Sequence, residues 1–271
     1  MNGVAESDTG ARPGAGVVAF LFGVAETTSL PGPALVRLLG DVGLTESAAR
    51  SLLARLRRSG DLRTSRSGRT ATYTLTGAML TAWRRGDALG RGHTADPWDG
   101  TLHGILWSVP ETHRAYRDHL RRLARLAGYA PLHPGLFVSV ADHWRIVADQ
   151  AGQAPPGARV GPLELRMDPA DAAAAARDAW NLDALAGRYR ALTVTLQRSR
   201  EAHVTPGPES LRRFVETAHP VYTALVADPG LPAELLPDDW PMPLLLTELH
   251  AVLARYHEPL REYLREILDG A

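Results

Sequence analysis

From Gly43 to Thr76 the chain reads GLTESAARSLLARLRRSGDLRTSRSGRTATYTLT, and this stretch limits the possible folds more than any other. Ala49, Leu52, Leu53 and Leu56 recur at i, i+3, i+4 and i+7, which is one buried helical face. Thr45 offers an N-cap oxygen and Gly60 a C-terminal stop. At about 100° per residue, Ser47, Ser51, Ala54 and Arg58 point the opposite way, flanked by Arg50 and Arg55. The outward face is therefore small, hydroxylic and cationic. DLRTS and RTATYTLT follow, joined by Ser67-Gly68, where glycine permits the positive φ of a hairpin turn. Alternation puts Ala71, Tyr73 and Leu75 on one side, with Tyr73 expected in the core, and Thr70, Thr72, Thr74 and Thr76 on the other. Arg66 and Arg69 flank the tip.

Two further helices precede this stretch. GVVAFLFGVAE (16–26) is apolar throughout, and ALVRLLGDVG follows prolines that suit a helix start. Three helices and a two-stranded wing predict a winged helix-turn-helix over 15–95, behind a polar, Gly-rich and disordered lead-in at 1–14. From 96 to 204 the pattern changes. LHGILWSVP, LHPGLFVSV and ARVGPLELRM read as three strands, and the segments ETHRAYRDHLRRLARLAGY and ADHWRIVADQAG between them as helices. This predicts an α/β sandwich with helices on one face of a sheet. A long helical run starts at Pro169 and either packs on the sheet or bridges to the remainder. Residues 205–271, helical on both sides of a Pro/Asp-rich elbow, form an all-α C-terminal domain. The fold class expected is α+β and multidomain.

Charge is uneven. Residues 1–95 hold 12 Arg against 7 acidic residues, whereas 205–271 hold 5 against 11. A basic front end suits a polyanion partner. The chain has no cysteine, which excludes disulfides, thiolate metal sites and cysteine nucleophiles, and no lysine, which excludes Schiff-base chemistry. No apolar run is long enough to span a bilayer and no signal-peptide pattern opens the chain, so a cytoplasmic protein is expected. GAGVVA (14–19) fits a dinucleotide fingerprint in letters only, lacking a preceding strand. His250 and His257 lie seven residues apart, too far for an i, i+4 metal pair. No cofactor and no metal site are expected.

The outward face of residues 45–58 suits the DNA major groove. Thr45, Ser47, Arg50 and Ser51 at the helix start are placed to read base edges, and Arg55 and Arg58 to hold phosphates. Arg55 or Arg58 can alternatively pair with Glu46 or Asp61. At the wing, Arg66 and Arg69 can follow phosphates or enter a minor groove, and Thr70 and Thr72 can donate to phosphate.

Three stretches in this order resemble the phenylacetic-acid degradation operon repressors, the PaaX-like regulators: GLTESAARSLLARLRRSGDL with GRTATYTLT, WDGTLHGILWSVPETHRAYRDHLRRLARLAGYAPLHPGLFVSV, and AWNLDALAGRYRAL with DPGLPAELLPDDWP. The resemblance implies a winged helix, a central ferredoxin-like domain similar to the Cas2 nuclease, and a helical C-terminal domain. It also implies a homodimer on a pseudo-palindromic operator in double-stranded DNA, repressing catabolic genes until an aryl-CoA effector binds. Where the Cas2-like nuclease carries its metal-binding aspartate this chain has Ser108, and a neutral hydroxyl cannot replace that carboxylate. A non-enzymatic regulator is expected. A winged helix fused to an enzyme acting on CoA thioesters or nucleotides, and one used for protein contact, are the other readings. Phosphates of a CoA ligand call for arginines, and Arg114, Arg117, Arg121 and Arg145 are available. Trp144 or Trp180 could line an aromatic pocket, although Trp98, Trp107, Trp144, Trp180 and Trp240 read first as structural anchors.

Overall fold

The computed structural model describes residues 14–67, 70–92, 96–200 and 203–270. Contacts group them into two compact units. The first joins residues 1–93 to 189–228 and 242–271, and the second joins 94–188 to 229–241. The expected boundary at 95/96 falls near the break at 93/94. The C-terminal helices, expected as a domain of their own, share the first unit's contacts.

In the first unit, α1 (Ala15–Val24) is buried continuously from Val17 to Phe22, as a helix apolar all round must be. α2 (Gly32–Asp41) and α3 (Glu46–Arg58) pack through Leu35, Leu38, Leu39, Leu53 and Leu56. β2 (Leu62–Ser67) and β3 (Thr70–Leu75) form the expected hairpin. The two-stranded wing is corrected to a three-stranded sheet, because β1 (Ser29–Pro31) pairs with β3 through Ser29↔Thr74, Leu30↔Tyr73 and Pro31↔Thr72. β1 lies at the sheet edge, where proline's missing N–H costs no ladder bond. Tyr73 is half-buried and not a core residue, while Leu75 is fully enclosed. α4 (Gly77–Gly90) then packs on α1 and on α9 (Pro208–Val226). α10 (Met242–Asp269) completes the bundle, with Phe214 of α9 between Phe20 of α1 and Tyr256 at centroid distances of 5.6 and 5.1 Å. Each such side chain contributes about 2–3 kcal/mol on burial, which fastens the C-terminal helices to the N-terminal ones.

In the second unit, β4 (Thr101–Ser108), α5 (Arg114–Leu126), β5 (Ala130–His133), β6 (Leu136–Ser139), α6 (Trp144–Gly152) and β7 (Arg159–Arg166) run in the βαββαβ order of ferredoxin-like domains. The sheet is antiparallel throughout, in the order β5-β6-β4-β7. The stretch 132–140, expected as one strand, is a hairpin turning at Gly135 (φ +88°). A Cβ there would fall 2.6 Å from the Trp107 carbonyl oxygen, so the turn needs glycine.

Helices on one face alone are also corrected. Ile105 and Phe137 meet α5 and α6 through Leu120, Ala124 and Val147. The opposite face, with Leu102, Val138 and Ala130, is covered by α7 (Pro169–Trp180) through Ala172, Ala176 and Ala179, with Leu231 and Leu235 behind. The helical run after Pro169 breaks at Asn181, whose left-handed conformation (φ 49°) ends α7 before α8 (Leu182–Ser199). Among the described residues no helix is long and apolar enough to cross a membrane.

Candidate nucleic-acid interface

α3 presents the face that its sequence requires. Thr45 caps it, its Oγ1 accepting from the Ala48 amide at 3.3 Å. Ala49, Leu52, Leu53 and Leu56 are buried, and Ser47, Arg50, Ser51, Arg55 and Arg58 are exposed. Arg55, Arg57 and Arg58 crowd the last turn, where the helix dipole favours cations. Gly60 (φ +82°) follows the helix end, and Asp61 accepts from the Ser59 hydroxyl at 2.6 Å.

The ion pair expected for Arg55 or Arg58 falls on Arg50, whose Nη2 lies 2.6 Å from Glu46 Oε1. Both side chains are 68% exposed, and an exposed i, i+4 pair contributes about 0.3–0.5 kcal/mol. A DNA base or phosphate can therefore displace Glu46 at small cost. Among the described residues no carboxylate pairs with Arg55 or Arg58.

On the hairpin Arg66 is exposed, paired in register with Ala71. Arg69 lies outside the described residues. Thr70 and Thr72 are half-buried, and Thr74 is engaged by the Ser29 hydroxyl at 2.9 Å, so the threonine face is open only in part. A concavity of about 610 Å³ runs between α2, the start of α3 and β3, with Arg37, Glu46, Arg50, Thr70 and Tyr73 on its walls. Sequence reasoning passed over three exposed cations: Arg37, Arg57 and Arg63. Spacing could have found Arg57, which is seven residues after Arg50 and thus on the same helical stripe.

The C-terminal helices support this surface from behind. Tyr263 of α10 donates to Asp41 Oδ2 at the end of α2 (2.7 Å), and Arg212 Nε of α9 donates to the Asp41 carbonyl (3.1 Å). Burial, then the bond to Asp41, pushes the Tyr263 phenol up to about 12.

The family models compared with the chain match in three stretches. One described as PaaX-like protein covers residues 17–79, the PaaX protein central Cas2-like domain covers 95–173, and the PaaX-like protein C-terminal domain covers 180–266. The chain belongs to the PaaX-like family. This family is regulatory, no catalytic family is indicated, and the chain fits a transcriptional regulator. No curated protein matches it. Among solved structures it is similar to the uncharacterized protein Rv0674 from Mycobacterium tuberculosis, at 27% identity and a TM-score of 0.54 over 94% of this chain and 96% of that one.

Within this PaaX-like chain the residues picked out for a CoA ligand are mostly occupied. Arg114 lies 3.6 Å from Asp118, Arg117 is pinned by Glu111 at 2.5 Å, and Arg121 sits 5.8 Å over the Trp107 ring. The Arg117 bond lowers the Glu111 carboxyl below its usual pKa. Arg145 is exposed, Trp144 at the start of α6 packs against the Ile105, Leu120 and Phe137 cluster, and Trp180 packs on the opposite face. None of the six lines the large cavity of the first unit. Ser108 ends β4 opposite Arg159. His250 Nε2 donates to the Gly90 carbonyl (2.6 Å), and His257 lies between Glu26 and Glu258.

Proposed function

We propose that the first unit is a winged helix-turn-helix that binds double-stranded DNA, with α3 in the major groove and the β2–β3 hairpin on the adjacent backbone. One observation carries this reading. A capped helix with its apolar stripe buried turns Ser47, Arg50, Ser51, Arg55 and Arg58 to solvent, and a hairpin bearing Arg66 follows it directly. Thr45, Ser47, Arg50 and Ser51 read base edges near the helix start, where arginine offers guanine two parallel donors. Arg55, Arg58, Arg66 and Arg69 hold phosphates, joined by Thr70 and Thr72.

The chain acts as a homodimer on a pseudo-palindromic operator, as a repressor of aromatic catabolism released by an aryl-CoA or related ligand. This part rests on the family resemblance. Selection of binding sites from random DNA tests the whole: a two-fold symmetric motif is expected, and failure to enrich any sequence contradicts it.

A further inference from the structure

α2 buries Ala34, Leu35, Leu38 and Leu39, which leaves Pro33, Arg37 and Gly40 on an outer stripe at i, i+4 and i+7. All three line the concavity of about 610 Å³, together with Glu46 and Arg50 of α3 and Thr70 and Tyr73 of β3. The start of α2 lies close against β3, since a Cβ on Gly32 would stand 3.1 Å from the Ala71 carbonyl oxygen. Two arginines and one carboxylate charge the walls, and that carboxylate, Glu46, is already paired with Arg50. Arg37 is the cation left over. It is exposed, and among the described residues no carboxylate pairs with it.

Arg37 is exposed but not loose. Its guanidinium stands 5.9 Å from the centroid of the Tyr263 ring, which α10 brings to the end of α2. Tyr263 is buried, and its hydroxyl is tied to Asp41 Oδ2 at 2.7 Å. Asp41 follows Arg37 by four residues, the spacing of a helical ion pair, yet its Oδ2 is taken by the tyrosine. A guanidinium lying on an aromatic ring keeps its N–H edge for a phosphate, to which it can give two parallel bonds. Holding the side chain in place beforehand lowers the ordering cost of that contact. When the second helix of a helix-turn-helix enters the major groove, the first crosses the sugar–phosphate backbone, and α2 is the helix before α3.

We propose that Arg37 holds a DNA backbone phosphate at this concavity, beside the bases that α3 reads, and that Tyr263 of the last helix positions it. The C-terminal helices are then part of the DNA-binding machinery. This inference rests on the DNA-binding reading of α3 and the hairpin.

Retardation of the selected duplex by the full chain, repeated across a range of salt concentrations, tests it. Arg37→Ala should lower the salt slope by about 1.8, one contact of about 0.9 from each chain of the dimer. It should keep the same base preference and the same urea midpoint. Arg37→Lys keeps the charge without the planar fork, and should restore the slope but not the whole affinity. Tyr263→Leu removes the ring, and should weaken binding about two- to fivefold for each chain while the slope stays. Adding Tyr263→Leu to Arg37→Ala should cost nothing further, because the tyrosine acts through the arginine. Ethylation interference should show one phosphate contact per half-site lost in Arg37→Ala, a result that does not depend on Tyr263→Leu folding. The proposal is overturned if Arg37→Ala keeps the wild-type slope and interference pattern, if it relaxes base preference, or if the two substitutions weaken binding independently. A wild-type slope near zero would contradict the DNA-binding reading itself; a steep slope that Arg55→Ala reduces and Arg37→Ala does not would overturn this proposal alone.

Discussion

α3 and α5 are both thirteen-residue, arginine-rich amphipathic helices, yet they put their cations to opposite use. On α5 four of the five arginines are engaged inside their own unit, Arg114 on Asp118, Arg117 on Glu111, Arg121 on the Trp107 ring and Arg122 on His119, and only Arg125 is exposed without such a partner among the described residues. On α3 one arginine is held, by a solvent-exposed glutamate, and Arg55 and Arg58 stand without a carboxylate partner among the described residues. The acceptors within reach explain the difference. α5 follows Glu111 and carries Asp118 and His119, whereas α3 offers Glu46 as its one acidic acceptor, beside a hydroxyl cap and small residues that let another molecule approach. Arginine content alone therefore does not mark a polyanion surface; the nearby acceptors decide it.

Core truncation should hit both helices alike. Leu53→Ala in α3 and Leu120→Ala in α5 should each cost about 2–5 kcal/mol in urea unfolding, because both residues are fully enclosed. A large loss in one alone would mean that the inner faces differ as much as the outer ones.

The outer faces should separate. Arg50→Ala should remove about 1–3 kcal/mol of base discrimination, roughly 5- to 150-fold, while Arg121→Ala leaves DNA preference unchanged; competition between selected and random duplexes measures both. Arg66→Ala and Arg69→Ala should weaken binding to every sequence alike and each, removing one contact per chain of the dimer, lower the salt slope by about 1.8. Equal loss of specificity in all three α3 and hairpin variants would erase the division between reading and holding.

Acid should find a histidine of the first unit. Burial holds His219 below its usual pKa of 6.5. The stability this contributes is present above pH 6.5 and is lost as pH falls toward the lowered folded value. Thermal unfolding across that window should show the fall, and His219→Gln should flatten it. The smallest effect is expected from Glu46→Gln, which frees Arg50 at a cost of about 0.3–0.5 kcal/mol or less and should leave base preference intact.

The legible parts of the chain are those whose instructions are local. The Ala49–Leu56 stripe, the Thr45 cap and the alternation after residue 69 placed α3 and the hairpin because each signal lies close to what it specifies, whereas Ser67, expected in the turn, ends β2 opposite Thr70. β1 was hidden because three residues ending in proline carry no period of two, and pairing with β3 defines them. The β5–β6 hairpin was read as one strand because Pro134 and Gly135 interrupt an apolar run by only two residues. The alanine run of α7 gave its helix but not its target, since small side chains pack on any close surface. The Phe20–Phe214–Tyr256 contact joins residues some two hundred positions apart, and no local pattern announces it. For the same reason the cavity at Trp83 and Tyr222 was not foreseen.

The central claim is that α3 and the hairpin present a cluster of unpaired cations where α5 leaves only Arg125, and the salt dependence of DNA binding tests it most directly. With Arg55, Arg58, Arg66 and Arg69 on phosphates in each chain of a dimer, log K against log salt should slope at about −7 from these contacts alone. The slope should shrink in Arg55→Ala, Arg58→Ala and Arg66→Ala and stay unchanged in Arg114→Ala and Arg122→Ala. A slope near zero, or one reduced equally by the α5 variants, would contradict it.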